Sequence, residues 1–332
     1  MNLNVSPSPH LRAPQDTRAI MRHVLIALIP ACTVGVYRFG FRALIVLVLT
    51  TAFAVLTEWA LNRLMKREST VRDLSAAVTG LLLGMNLPST APWWLCALGA
   101  VFAIGLVKAL FGGLGNNFVN PALAARAFLM VSFPVRMTSW VAPLNSLTAD
   151  AADAISAATP LALLKQGGAA LQLPGGAGPD LLRLLFGDSG GCIGEGSALA
   201  LLIGFVWLMA FGVISPRIPL AYILTVFAGT ALLGRAAGET YYPPLVNGAA
   251  HALSGGLMLG AIFMATDYTT SPVTAAGQWI YALGCGFLTV VIRLFGGYPE
   301  GVSFSILIMN LCVPLIERGV RARSFGEVRR RA

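Results

Sequence analysis

Charged side chains are scarce in this 332-residue chain, since Asp, Glu, Lys and Arg together make up only 11% of it. A soluble domain usually carries about 25% charged residues, so a soluble globular protein is excluded. Hydrophobic residues account for 56% of the chain, and the mean hydropathy is +0.75. This apolar content also excludes intrinsic disorder. The composition therefore predicts a membrane protein with several spans.

Acidic residues and cysteines are also few. The chain has 14 Asp and Glu against 23 Lys and Arg, which gives a net charge of +9. In a protein this apolar, the basic excess indicates a cytoplasmic membrane face, and we expect no nucleic-acid partner. The cysteines show no CxxC spacing, so we expect no disulfide framework, iron–sulfur cluster or other metal site. They are Cys32, Cys96, Cys192, Cys285 and Cys312.

Long apolar runs are abundant, and a membrane-spanning helix needs about 20 such residues. The candidate spans are residues 23–40, 43–64, 73–88, 92–111, 120–134, 197–214, 218–236, 247–266, 276–295 and 301–317. The stretch 135–196 between the two sets holds five acidic residues and a Gly/Pro-rich run, and we interpret it as a polar loop. The predicted fold is an all-α integral membrane protein with about ten transmembrane helices.

The two sets of spans resemble each other. In each set the third span is rich in small residues and ends in a polar turn, at Asn86–Pro88 and at Thr266–Tyr268. The fifth follows a glycine-rich turn, Gly112–Asn117 or Gly296–Gly301. Five spans per repeat force opposite orientations, and inverted repeats place shared sites beside short or broken helices. The simpler interpretation is that small residues only allow close helix packing.

The distribution of basic residues predicts the orientation. The side that holds both termini has roughly twice as many Lys and Arg residues as the other, so both termini should be cytoplasmic. The basic tail either anchors this topology or contacts anionic lipid or a cytoplasmic subunit. The predicted regions are a cytoplasmic segment 1–22, a first five-span repeat 23–134, an extracytoplasmic loop 135–196, a second five-span repeat 197–317 and a basic cytoplasmic tail 318–332.

One segment of the outward loop has a clear local pattern. Thr159 is a favoured residue for a helix N-cap, and Pro160 suits the first helical position. Leu161–Lys165 should then form a short helix. The residues themselves indicate a plain capped helix, whose free N–H groups would also attract an anion.

Asp153–Thr159 also resembles the D-x-x-[ST]-G-A-T signature at which flavin mononucleotide (FMN) is joined to threonine. The signature belongs to the D subunits of Rnf (Rsx) ion-translocating complexes and to the related B subunits of sodium-pumping NADH:quinone reductases. Segments Leu74–Pro88, Gly112–Pro121, Phe263–Pro272 and Gly296–Asn310 extend the resemblance along the chain, and the length favours the Rnf D-subunit family. The sequence departs from the signature at Ala157, where the family has glycine.

The resemblance implies covalent FMN on Thr159 as a phosphoester. The other residues of the implied cofactor-binding segment are Asp153, Ser156, Ala157, Ala158 and Pro160. It also implies a bacterial inner-membrane complex that couples electron transfer between ferredoxin and NAD to sodium-ion or proton translocation. The implied partners are the A, B, C, E and G subunits of Rnf, with a flavin transferase for maturation. This chain would be a subunit with no catalytic residues of its own, because it has no NAD fingerprint or cluster ligands.

Ionisable groups inside spans are functional candidates by default, although snorkelling or an ion pair with a neighbouring subunit is the favoured explanation for each of them. These groups are Glu58, Lys108, Arg126 and Asp267, while His251 is interpreted as a hydrogen-bonded packing residue. Polar residues at the broken-helix positions could line an ion path or hold a second, non-covalent flavin such as riboflavin. They are Asn116, Asn117, Asn120, Thr266, Asp267 and Thr270.

Two alternatives remain open. The chain could resemble the B subunit of the quinone reductase more closely, although it lacks the longer N-terminal region found there. It could also be a flavin-free channel or transporter with inverted repeats, for which the Asp153–Thr159 segment would have no purpose.

Overall fold

The computed structural model describes residues 16–141, 159–165, 181–187, 190–239, 242–298 and 300–320. These residues are helical wherever they form regular secondary structure, and they contain no β-strand. The all-α prediction is therefore confirmed for the described part of the chain.

The N-terminal half contains helices α1 to α6. Their bounds are Thr17–Phe39 (α1), Phe41–Leu64 (α2), Ser75–Met85 (α3), Trp93–Val101 (α4), Pro121–Ser132 (α5) and Pro134–Met137 (α6). A single 3-10 turn, Val71–Asp73, precedes α3, and α4 continues as a π-helix over Phe102–Ala109. Asn120 caps α5 because its side-chain oxygen accepts from the N–H groups of Ala122 and Leu123.

The rest of the described chain forms helices α7 to α14. Their bounds are Pro160–Lys165 (α7), Leu181–Phe186 (α8), Ala198–Ala210 (α9), Arg217–Leu233 (α10), Pro244–Leu253 (α11), Leu257–Leu259 (α12), Ala275–Phe295 (α13) and Val302–Gly319 (α14). Helix α12 continues as a π-helix over Gly260–Met264. A 3-10 turn, Ile193–Glu195, precedes α9.

Each of the ten predicted spans overlaps one of these helices. In the described residues, α1, α2, α13 and α14 are long and apolar enough to cross a membrane. Helix α11 and the segment Leu257–Met264 qualify together as a fifth, bent by 64° at the break between them. The other apolar helices are shorter, so the count of ten spans and the inverted repeat stay predictions.

The bundle is held together by close contact at small residues. A Cβ added at Gly80 would lie 2.7 Å from Ala54 Cβ, and one at Gly204 would overlap the backbone oxygen of Ala27. Helix backbones therefore approach each other where a side chain would separate them. Large apolar side chains such as Phe41, Val48 and Leu232 are exposed on the outside, as expected where lipid covers the bundle.

The end of the stretch 135–196 differs from the predicted polar loop. Ile193 and Gly194 are buried, and the Ile193 N–H donates to the Leu87 carbonyl at 3.2 Å. A Cβ added at Gly194 would lie 2.8 Å from both Met85 Cβ and Leu259 Cδ2. The turn thus fills a gap between the two halves of the chain. The loop acid Glu195 is carried into the protein by this turn.

Candidate functional sites

Thr159 begins α7, as its sequence context predicts. Its Oγ1 accepts a hydrogen bond from the Ala162 N–H at 3.3 Å, and its carbonyl accepts from the Leu163 N–H at 3.0 Å. Pro160 occupies the first helical position. The predicted N-cap is confirmed, and Thr159 itself is buried, with 3% of its surface exposed.

Helix α7 is fixed to the protein along its length. Leu161 and Leu164 are buried in a small cluster with Leu184 of α8, with Tyr242, and with Ala250 of α11. At its end, the Lys165 ammonium donates to the carbonyl of Gly296, which follows α13. Because both ends are held, the position of Thr159 is defined relative to α11 and α13. The other residues of the predicted cofactor segment, Asp153, Ser156, Ala157 and Ala158, lie outside the described residues.

A buried arginine lies beside α7. The Arg293 guanidinium donates to the backbone carbonyls of His251 at 2.6 Å and Ser254 at 3.2 Å, at the end of α11. A Cβ added at the neighbouring Gly255 would lie 2.5 Å from Leu161 Cδ1 and 3.1 Å from Arg293 Nη2. The leucine of α7 and the guanidinium therefore meet at the same glycine.

Several polar atoms around this arginine are unpaired. Among the residues that the structure describes, Arg293 Nε, Ser254 Oγ and His251 Nδ1 are buried without a hydrogen-bond partner. Buried polar atoms are normally paired, and each exception needs a reason. Donors and acceptors of this kind fit a group such as FMN, which has a phosphate, hydroxyls and a polar ring edge. If a flavin is attached to Thr159, Arg293, Ser254 and His251 would be available to hold it.

His251 is a hydrogen-bonded residue, in agreement with the sequence interpretation. Its Nε2 lies 3.0 Å from Glu239 Oε2, and Asn247 Nδ2 donates to the same oxygen at 2.8 Å. Hydrogen bonding to His251 and Asn247 lowers the pKa of Glu239, although partial burial alone would raise it. The carboxylate therefore stays ionised and fixes the histidine ring.

A cleft on another part of the bundle contains most of the predicted ion-path residues. It encloses about 740 Å³ of empty space, its open mouth included. Four of the predicted residues line it together with the buried Lys108; they are Asn117, Asn120, Thr266 and Asp267. Asn116 does not join them, because its side chain is exposed in the preceding turn.

Hydrogen bonds connect the residues of this cleft. Asn120 Nδ2 donates to the Met264 carbonyl at 3.2 Å, where the π-helix ends. Asp267 Oδ2 accepts from the hydroxyls of Thr269 at 3.0 Å and Thr270 at 3.2 Å. Asn117 Oδ1 is one of the buried oxygens without a partner in the described segments. The start of α5 and the end of the broken span therefore form one polar surface.

Lys108 and Glu58 form an ion pair inside the bundle. Lys108 Nζ lies 2.6 Å from Glu58 Oε1 and 2.5 Å from Ser75 Oγ, and both charged side chains are nearly inaccessible. The predicted alternatives for these residues, snorkelling or pairing with a neighbouring subunit, are wrong for this pair. The lysine joins α2, α3 and the π-helical part of α4.

Arg126 forms a second buried ionic group. Its guanidinium pairs with Glu300, lies 3.9 Å from Glu195 Oε1 and donates to Asn86 Oδ1 at 2.7 Å and to Cys192 Sγ at 3.4 Å. The sequence identified Arg126 as a candidate but did not identify these partners. Glu300 lies in a glycine-rich turn and Glu195 in the predicted polar loop, so the sequence does not predict that either one pairs with Arg126.

Comparison with known proteins places the chain in a family. Residues 4–326 match the NQR2, RnfD, RnfE family. The chain belongs to this family. The D subunit of the Na(+)-translocating ferredoxin:NAD(+) oxidoreductase complex of Acetobacterium woodii is 52% identical over 329 residues, which cover 98% of this chain and 96% of the relative.

Two further relatives within the NQR2, RnfD, RnfE family agree with this placement. The D subunit of the proton-translocating ferredoxin:NAD(+) oxidoreductase complex of Clostridium ljungdahlii is 42% identical over 324 residues, or 97% of this chain and 96% of the relative. The D subunit of the ion-translocating oxidoreductase complex of Stutzerimonas stutzeri is 42% identical over 330 residues, which cover 92% of this chain and 91% of the relative. The resemblance to Rnf D subunits is therefore confirmed over nearly the full length.

Proposed function

We propose that this chain is the D subunit of a bacterial ion-translocating ferredoxin:NAD oxidoreductase complex, and that it carries FMN covalently on Thr159 as an electron relay. The observation that supports this most strongly is the near full-length similarity to D subunits of such complexes. Relatives of both the sodium-translocating and the proton-translocating kind match, and the translocated cation here is accordingly a sodium ion or a proton.

The local structure around Thr159 supports its role as the attachment residue. The phosphoester would form on Oγ1, the oxygen that caps α7. FMN, once bound, accepts and passes on electrons, while the protein supplies tethering, orientation and electrostatics. The short capped helix fixes the direction of the Thr159 side chain. Arg293 supplies a buried positive charge, and Ser254 and His251 supply unpaired polar atoms, at the end of α11.

The cleft beside Asp267 is the second part of the proposal. Its lining, which combines polar and apolar side chains, suits either an ion path or a second, non-covalent flavin such as riboflavin. Asn117 Oδ1, which lacks a partner in the described residues, is available to such an occupant.

The proposed placement in the cell follows from the charge distribution. Both termini lie in the cytoplasm, and residues 135–196, including Thr159, lie on the outer side of the inner membrane. An extracytoplasmic flavin transferase would reach the segment there. The A, B, C, E and G subunits of Rnf would handle the soluble electron donors and acceptors, because this chain has no site for them that the sequence reveals.

A gel experiment tests the attachment. Wild type, Thr159→Val and the control Thr138→Val are run on denaturing gels under ultraviolet light. Wild type and control should show a fluorescent flavin band at the mass of this chain, and Thr159→Val should not. Thr138 is a suitable control because its hydroxyl makes only a local bond to the Pro134 carbonyl at 2.8 Å.

The same gel separates the alternatives. A fluorescent band that persists in Thr159→Val would show that the flavin is attached elsewhere. A wild-type chain without fluorescence, expressed together with its transferase, would favour the flavin-free transporter. The valine variant also loses the N-cap oxygen, which costs about 1 kcal/mol of helix stability, so its amount in the membrane is measured by immunoblot.

A further inference from the structure

The buried group around Arg126 has more negative than positive charge. We call Arg126, Cys192, Glu195 and Glu300 the Arg126 cluster. Two carboxylates face one guanidinium there. The Cys192 sulfur and one carboxylate oxygen from each of Glu195 and Glu300 lie within 4.8 Å of one another. The cluster lies where α5, the end of α3, the 193–195 turn and the break before α12 meet.

The two carboxylates are not equivalent. Glu300 pairs directly with Arg126, whereas Glu195 Oε1 lies 3.9 Å from the guanidinium, beyond hydrogen-bond distance. Glu195 Oε1 has no hydrogen-bond partner in the described residues, and only 7% of the Glu195 side chain is exposed. An ionised carboxylate oxygen buried in this way is costly. The cluster therefore lacks one positive charge beside Glu195.

A metal ion does not supply that charge well. A thiol and two carboxylates are suitable ligands in type, but the Arg126 guanidinium already lies among them. A cation at this position would be repelled at short distance inside a low-dielectric environment. A proton on one of the two carboxylates neutralises the excess charge without this repulsion, as in other close carboxylate pairs.

The other charges near Glu195 do not change this balance. Arg293 of α13 interacts electrostatically with Glu195 and Glu300, but it interacts with the negative Glu239 as well, and its guanidinium donates to backbone carbonyls at the end of α11. From the helix break, only the bare backbone of Gly256 approaches, where an added Cβ would lie 3.5 Å from Glu195 Oε1. Burial and the Glu300 carboxylate raise the pKa of Glu195 to about 8, although Arg126 and hydrogen bonding to Cys192 oppose the shift.

The two carboxylates also face different spaces. Glu300 and Arg126 line a cleft of about 470 Å³ together with Trp140, Tyr298 and Phe304. Glu195 does not line this cleft and instead faces the break between α11 and α12. A proton on Glu300 is thus next to the cleft, and a proton on Glu195 is inside the protein.

We propose that Glu195 and Glu300 form a proton-binding site that holds one shared proton, with Arg126 as its positioning residue. In the arrangement described here, Arg126 pairs with the ionised Glu300 and the proton is on Glu195. When the guanidinium moves to Glu195, the O–H bond of Glu195 breaks and an O–H bond forms on Glu300. One proton is transferred and no group is oxidised or reduced. The proposal rests on the proposed function as part of an ion-translocating complex.

Infrared spectroscopy of the purified complex tests the site. A buried protonated carboxyl group gives a carbonyl-stretch band that carboxylates lack. Wild type should show this band below pH 8 and lose it as the pH rises through about 8. Glu195→Gln should lack the band, because Glu300 then pairs with Arg126 and is ionised. Glu300→Gln should lack it too, because Arg126 is then free to pair with Glu195.

The control is Glu317→Gln, at a position where the side chain only accepts a bond from the Val273 N–H at the surface. This variant should keep the wild-type band and its midpoint. The absence of a titrating band in wild type would overturn the proposal, and this measurement needs no variant to fold. A band that survives in Glu195→Gln would also overturn the proposal. A band that survives in Glu300→Gln would overturn it too, because it would show a lone buried acid instead of a shared proton.

Failure of the proposed function gives a different result. If the reconstituted complex transfers electrons but moves no ions, while the band behaves as described, then the translocation role is wrong and the proton site stands. If ions are translocated and the band is absent, the site is wrong and the translocation role stands.

Discussion

Ionisable side chains buried in the helices pair across long distances in the sequence. Lys108 and Glu58 are 50 residues apart, and Arg126 and Glu300 are 174 residues apart. The sequence shows which charges lie inside apolar runs, because that depends only on their neighbours. It does not show their partners, because pairing depends on which helices are adjacent. By contrast, the cap of Thr159 on Ala162 spans three residues and could be predicted.

The Lys108–Glu58 pair should show the energetics of a buried ion pair. Lys108→Met leaves Glu58 buried without a counter-charge, and we expect the free energy of unfolding to fall by about 3–5 kcal/mol. The double variant Glu58→Leu/Lys108→Met should recover most of the lost stability, because replacing a buried ion pair with apolar side chains of similar volume changes stability little. Thermal unfolding of the purified chain in detergent measures the difference.

The control for this series is Lys66→Met, at an exposed position after α2. It should leave the melting temperature nearly unchanged. A double variant less stable than Lys108→Met would contradict the explanation, and would mean that the lysine stabilises the bundle through Ser75 instead of through the ion pair.

At the scale of elements, the break at Ser254–Gly256 determines much of the local architecture. The sequence predicts a span over 247–266 that is rich in small residues, and the structure divides it into α11 and α12. The break could not be located in advance, because it depends on contacts from outside the span. Arg293 holds the end of α11 and Leu161 occupies the space above Gly255.

Two adjacent glycines in this break provide a matched test. Gly255 has φ of 66°, and a Cβ there would lie 2.5 Å from Leu161 Cδ1. Gly256 has φ of −67°, and the nearest atom to a Cβ would be Arg126 Nη1 at 3.4 Å. Gly255→Ala should therefore lower the free energy of unfolding by more than the ~1–2 kcal/mol that left-handed backbone strain alone would cost. Gly256→Ala should lower it by less than ~1 kcal/mol.

Thermal unfolding of both glycine variants measures the contrast, and limited proteolysis near α7 shows whether Leu161 is displaced. Equal stability of the two variants would mean that the break adjusts to an added methyl group, and that α7 does not depend on close contact with Gly255.

At the scale of the whole molecule, the helices surround a core that includes part of the segment between the two halves. The sequence predicted where the helices lie to within a few residues, since apolar length and turn residues determine this. It did not predict that the 193–195 turn is buried, because the gap between Met85 and Leu259 exists only after both halves have packed. The ten-span topology and its orientation stay predictions.

Reporter fusions test the orientation. A reporter that is active only outside the cytoplasm, inserted within residues 166–180, should be active. The same reporter inserted beside Glu68, in the exposed turn after α2, should be inactive. The reverse pattern would place the Thr159 segment in the cytoplasm and remove it from an extracytoplasmic flavin transferase.

The attachments of α7 have a mechanical consequence. Its contacts described above lie on α8, on α11 and on the turn after α13, which all follow it in the chain. A displacement of the C-terminal half against the N-terminal half would therefore carry the Thr159 oxygen along as part of one rigid unit. The distance from Thr159 to a partner docked on the C-terminal half would stay constant during such a motion, and the distance to a partner docked on α1 to α5 would change.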